Sequence, residues 1–82
     1  MKRYLLQCGL LILNLTRREV EKELDEVIGR KYRPFLLRHM VTEKAVIVYP
    51  YTMQVDYGFR KSVYSSKEMM KKEILRYLSR RN

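Results

Sequence analysis

The side chains able to do chemistry in this chain are mostly cations. Eighteen Lys and Arg stand against nine Asp and Glu, a formal net charge of +9. Residues 1–26 hold five of each sign, so the whole excess lies in residues 27–82, where thirteen basic residues meet four acidic ones. Such an excess points to nucleic acid first, and to an anionic membrane surface or an acidic protein after it. Lys72, Arg76 and Arg80 recur at every fourth position near the C-terminus. On a helix that spacing lines them along one face, where they are either solvated or in contact with phosphate.

Other chemistries find little support. Cys8 and His39 are the only soft ligands, so neither a Cys/His zinc site nor any other metal is expected, and one cysteine excludes a disulfide-stapled scaffold. Glu19, Glu23 and Glu26 fall on the outer face of a helix and read as solvation and ion pairing. No nucleophile–base spacing and no Gly-rich phosphate loop is present, so no catalytic residue, cofactor or small-molecule substrate is expected. The one catalytic alternative is a small basic ribonuclease using His39 with Arg38 or Lys44. Cys8 reads as a buried small hydrophobe, and the aromatics Tyr32, Tyr49, Tyr51, Tyr57, Phe59 and Tyr64 as packing residues.

Those side chains must be positioned by one small domain, because 82 residues allow a single core that is dense or shared with a second copy. Met1-Lys2-Arg3 and the apolar stretch Tyr4 to Leu15 superficially resemble a signal peptide. Gln7 and Asn14 interrupt that stretch, however, and Thr16-Arg17-Arg18-Glu19 follows it in place of small residues. The stretch is also short of the roughly 20 residues of a membrane span. A cytoplasmic protein without a membrane partner is expected.

Two helices have clear start signals. Thr16 and Glu19 form a capping box, with Leu15 and Val20 placed as a hydrophobic staple. Val20, Leu24, Val27 and Ile28 share one face and Gly29 follows, which predicts a helix over 17–28 with Glu26 and Arg30 placed to pair. Ser65 and Glu68 form a second box ahead of the stripe Met70, Ile74, Tyr77 and Leu78. Between them, Ala45 to Tyr49 is a β-branched run, and Met53 to Val63 alternates with apolar residues at most odd positions. These two runs predict a hairpin whose turn lies between Pro50 and Gly58. Tyr4 to Leu13 is Leu-rich and tilts to helix in spite of Gly9. Pro34 to Val41 also favours helix, with Pro34 at the first position and Leu36, Leu37, Met40 and Val41 on one face.

That order of elements resembles the winged helix-turn-helix DNA-binding domain. RYLLQCGLLILNLTRREVEKEL is similar to its first helix, connector and capped second helix, and LLRHM before TEKAVIVY to a recognition helix running into a wing strand. FRKSVYSSKEMMKKEILRYL resembles the last wing strand and C-terminal helix of MarR-like and PadR-like regulators, and ELDEVIGRKYRP is most like the PadR group. The sequence departs from the pattern in a short recognition segment, in Ala45 where a Gly is common, and in a wing tip (Thr52 to Tyr57) with Asp56 and no cation.

The resemblance implies a mainly α fold with a β-hairpin wing, in the order α-α-α-β-β-α. Its parts would be a first helix in 1–15, a second in 16–29, a recognition helix in 33–43, a wing in 45–64 and a C-terminal helix in 65–81. It implies a sequence-specific regulator of double-stranded DNA with no ligand-binding domain. Arg33, Arg38, His39 and Thr42 would then lie over base edges, and Arg17, Arg30, Lys31, Arg60 and Lys61 against phosphate. A homodimer through the N-terminal and C-terminal helices is expected. Two rivals remain open. One is an α+β RNA-binding module in which Tyr4 to Leu15 and Phe35 to Val41 are strands; the other is a basic adaptor that inhibits an acidic partner.

Overall fold

The computed structural model, which describes residues 1–81, turns the Leu-rich N-terminus into a hairpin. Strand β1 (Tyr4–Cys8) and strand β2 (Leu11–Leu15) pair antiparallel in the register Tyr4↔Leu15 to Cys8↔Leu11. Gly9 and Leu10 form the two-residue loop, and Gly9 has φ +60°, the positive value that a type II′ hairpin turn needs at its first position. Tyr4, Leu6 and Cys8 point to the core, and Leu5 and Gln7 to the other side. The glycine that weakens a helix here is what makes the turn.

Helix α1 (Arg17–Val27) follows, then strands β3 (Phe35–His39), β4 (Ala45–Tyr49), β5 (Gln54–Asp56) and β6 (Lys61–Val63), and helix α2 (Lys67–Ser79). All six strands join one antiparallel sheet in the order β2-β1-β3-β4-β5-β6. The protein is α+β, 32% strand and 30% helix, and not the mainly α winged helix-turn-helix in α-α-α-β-β-α order. The supposed first helix is β1 and β2. The supposed recognition helix is β3 and its turn, hydrogen-bonded between β1 and β4, so no helix is available there for a DNA groove. The supposed wing becomes three strands, with a turn over 50–53 inside the expected range and a second turn at 57–60.

The capping box at α1 is as expected: Thr16 N–H donates to Glu19 Oε1 at 2.8 Å, and Glu19 N–H to Thr16 Oγ1 at 3.1 Å. Gly29 takes up φ +87° just beyond the helix, and its N–H donates to Pro50 O at 2.8 Å. Glu26 and Arg30 form no ion pair. At α2 the cap is Ser66, one residue later than the Ser65 box, with Ser66 Oγ accepting from Met69 N–H at 3.2 Å.

Both helices lie on one face of the sheet, giving two layers around one core. Val20, Leu24 and Val27 of α1 and Met70, Ile74, Leu75 and Leu78 of α2 are buried. They meet Tyr4 and Leu6 of β1, Phe35 and Leu37 of β3, Val46 and Val48 of β4, and Val55 of β5. Where the helices run side by side, Lys71 Nζ sits 2.6 Å from Asp25 Oδ1. That contact holds the Asp25 carboxyl below its ordinary range and raises Lys71. Of the two helices named for a homodimer, the N-terminal one is a hairpin whose edge strand β2 leaves Leu11 and Ile12 exposed, and the α2 stripe lies largely in the core.

Candidate nucleic-acid interface

In this topology every element reverses direction, so alternate connections meet at the same end of the molecule. Residues 1–3, the β2–α1 junction, the β3–β4 turn, the β5–β6 turn and the end of α2 gather at one end. The β1–β2 turn, residues 28–34, the β4–β5 turn and the start of α2 gather at the other. A five-residue strand separates the two ends by about 16 Å.

The first end is strongly basic. Three depressions ring the last turns of α2, and a fourth runs along the helix from Glu68 to Ser79. One of about 310 Å³ is walled by Arg3, Arg17, His39 and Arg81, and one of about 500 Å³ between the helices by Arg17, Lys71, Lys72 and Arg76 together with Glu21 and Glu68. One of about 480 Å³ is lined by Lys44, Arg80 and Arg81, and one of about 100 Å³ by Phe59, Arg60, Arg76 and Arg80. Neighbours share Arg17, Arg76, Arg80 and Arg81, so the four close a circuit along α2 and around its end.

Three of these cations face carboxylates, Lys71 most closely, at 2.6 Å from Asp25. Arg76 meets Glu73 at 2.9 Å, Arg17 lies 3.8 Å from Glu21, and both pairs are on the surface, where such contacts contribute little. Lys44 stands over the Tyr77 ring at 5.1 Å, and Arg60 over Tyr57 at 5.4 Å and Phe59 at 5.9 Å. Arg3, Lys72, Arg80 and Arg81 make no ion pair among the described residues. Cations at a helix C-terminus also offset its dipole, which explains Arg80 and Arg81 in part but not Arg3, Lys44 or Arg60.

His39 is the buried polar residue of this end, 6% exposed. Its Nδ1 accepts from the N–H groups of Val41 and Thr42, both at 3.2 Å, and so shapes the β3–β4 turn. Two donors on Nδ1 place the ring proton on Nε2. Burial, with Arg3 and Arg81 nearby, lowers the His39 pKa and keeps the ring neutral. Tyr4 meets it edge to face at 4.8 Å. Burial raises the Tyr4 pKa, so its hydroxyl stays protonated.

The residues singled out from sequence separate in space. Arg17, His39, Thr42 and Arg60 belong to the basic end, although Thr42 Oγ1 is already donated to Leu78 O. Arg38 and Lys61 lie on the open sheet face, Arg38 beside Glu43 at 3.9 Å and Lys61 opposite Asp56. Arg30, Lys31 and Arg33 sit at the far end, Arg33 against Gly9 and Lys31 over the Tyr51 ring at 5.7 Å. The sequence reading missed Arg3, Arg81 and the role of Phe59, which is 71% exposed while Tyr57 is buried. No group of His, Cys, Asp and Glu among the described residues could hold a metal ion, and no described helix is long and apolar enough to cross a membrane. No family model, curated protein or solved structure matches the chain.

Proposed function

We propose that the protein binds nucleic acid at the basic end, and single strands in preference to duplexes. The observation that carries this reading is the convergence of nine cations, drawn from five separate stretches of chain, on one circuit along α2 and around its end. A phosphate backbone is the polyanion that such a path fits, and cations so spaced release counterions along it. Phe59 supports the choice of strand. It is an exposed ring set among Arg60, Arg76 and Arg80, and an unpaired base can stack on such a ring while its flanking phosphates meet the guanidiniums. Duplex DNA recognition loses the helix on which it rested, since β3 is a central strand. The site offers backbone contact and stacking, and therefore weak sequence choice.

Fluorescence anisotropy across a salt series, with single-stranded RNA, single-stranded DNA and duplexes of matched length, tests the reading. The expected result is tighter binding to single strands, with affinity falling steeply as salt rises. Preference for a duplex would overturn the strand assignment. No salt-dependent binding to any of them would refute the function and turn attention to an acidic protein partner.

A further inference from the structure

One depression in the circuit differs from the others in having buried donors. The walls of the 310 Å³ pocket are Arg3, Arg17 and Arg81, and His39 and Tyr4 also line it, 6% and 3% exposed. Neither His39 Nε2 nor the Tyr4 hydroxyl has a hydrogen-bond partner among the described residues. Among the described residues no side-chain nitrogen or oxygen sealed from solvent lacks a partner, so both atoms keep some contact with solvent. The hydroxyls of Thr42 and Ser79, also at the pocket, are committed to Leu78 O and Leu75 O. The donors that remain are an imidazole N–H, a phenol O–H and three guanidiniums, of which Arg3 Nε already donates to Met1 Sδ at 3.2 Å and Arg17 Nε lies 3.8 Å from Glu21.

We infer that this pocket takes a phosphate monoester, the terminal phosphate of the bound strand. The polar groups that remain are donors and cations, which suits an oxyanion. An internal diester offers one negative charge and must leave in two directions. A monoester carries about −1.5 to −2 at neutral pH and presents three oxygens, matching a recess closed on its inner side by Tyr4 and His39. Arg17 and Arg81 line the neighbouring depressions as well, so a strand anchored here runs on into the circuit. The pocket's chemistry stands alone, while the strand as source of the phosphate rests on the proposed function.

His39 is the only histidine, so a ¹H–¹⁵N spectrum of ¹⁵N-histidine-labelled protein reads the pocket directly. Titration with inorganic phosphate is expected to move the Nε2 resonance saturably, where chloride at equal ionic strength does not. One oligonucleotide carrying a 5′-phosphate, a 3′-phosphate or neither is then compared by anisotropy. One phosphorylated end should bind about tenfold more tightly, as expected of several charge-assisted hydrogen bonds. Arg81→Gln, which alters an exposed residue outside the core, should abolish most of that preference. Replacing His39 itself would disturb the β3–β4 turn, so it serves as the probe. An unmoved His39 with equal binding of all three oligonucleotides overturns the inference and leaves the proposed function standing. A His39 response to phosphate without binding of any oligonucleotide refutes the strand as the source and points to a small phosphorylated molecule.

Discussion

Replacing Arg80 and Arg81 together by Gln tests whether the circuit, or merely the overall charge, binds the strand. Nine cations line the circuit, and Lys71, Arg17 and Arg76 face Asp25, Glu21 and Glu73. If about six phosphates are neutralised, log K against log salt has a slope near −4 for a single strand, at roughly 0.7 per phosphate. The variant loses two contacts, which brings the slope to about −3. Between 50 and 200 mM salt the parent then loses about 300-fold in affinity and the variant only about 50-fold, although it binds more weakly throughout. Arg30→Gln with Lys31→Gln removes the same net charge from the far end and should leave the slope at its parental value. Anisotropy titrations at four or five salt concentrations measure all three proteins. Equal flattening in both double variants would sink the argument, because it would mean that net charge and not position governs binding.

Phe59→Ala should weaken single-strand binding by about 1–3 kcal/mol, the range for a lost base–aromatic stack, while the urea midpoint stays put because the ring is exposed. An unchanged affinity would remove the main support for single strands. Thr16→Ala removes the side-chain half of the capping box at α1, leaving the backbone N–H of residue 16 on Glu19, and should cost about 0.5–2 kcal/mol in urea unfolding. Gly9→Ala forces φ +60° on a side-chain-bearing residue and sets its Cβ 3.3 Å from the Arg33 guanidinium, so a loss of about 1–2 kcal/mol is expected; a neutral result would mean the hairpin turn differs. Acid should destabilise the protein in two steps. His39 and Asp25 both have lowered pKa values in the folded state, so the unfolded chain binds more protons and stability falls with pH, first below about 6.5 and again below about 4. Urea midpoints that rise between pH 7.5 and 5.5 would contradict the neutral His39.

Helix α1 was readable from sequence because its signals are local. The Thr16–Glu19 box and the spacing of Val20, Leu24 and Val27 need no partner to be recognised. The strands were hidden for the opposite reason. Pro34 to Val41 fits a helix if Leu36, Leu37, Met40 and Val41 are taken as a face, and its five residues Phe35 to His39 fit a strand if Phe35, Leu37 and His39 are. Five residues cannot decide between those periods, and what decides is the hydrogen bonding of β1 and β4 on either side, which is remote in sequence. Likewise Leu favours helix in isolation, but Tyr4 to Leu15 contains a two-residue turn that lets ten residues pair with one another. The RNA-binding rival, which treated both segments as strands, had the better secondary structure.

The site misled through the same confusion of chain distance with space. Counting charge along the sequence set residues 1–26 aside as neutral, yet Arg3 and Arg17 come from that segment and wall the pocket that holds His39. The far-end cluster Arg30, Lys31 and Arg33 precedes β3 by a few residues and is still a strand length away from His39 at the other end of it. In a fold whose elements reverse at every connection, the useful question is the parity of the connection that carries a cation. Arg3, Arg17, Lys44, Arg60 and Arg81 all stand at connections or termini of one parity. Arg60 shows how strictly this depends on the strand count. With Met53 to Val63 read as one strand, Arg60 lies partway along it. The β5–β6 turn adds a reversal, which carries Arg60 and the exposed Phe59 to the end where α2 terminates. A stacking ring beside three arginines is therefore a consequence of that second turn, and was invisible until the strand was divided.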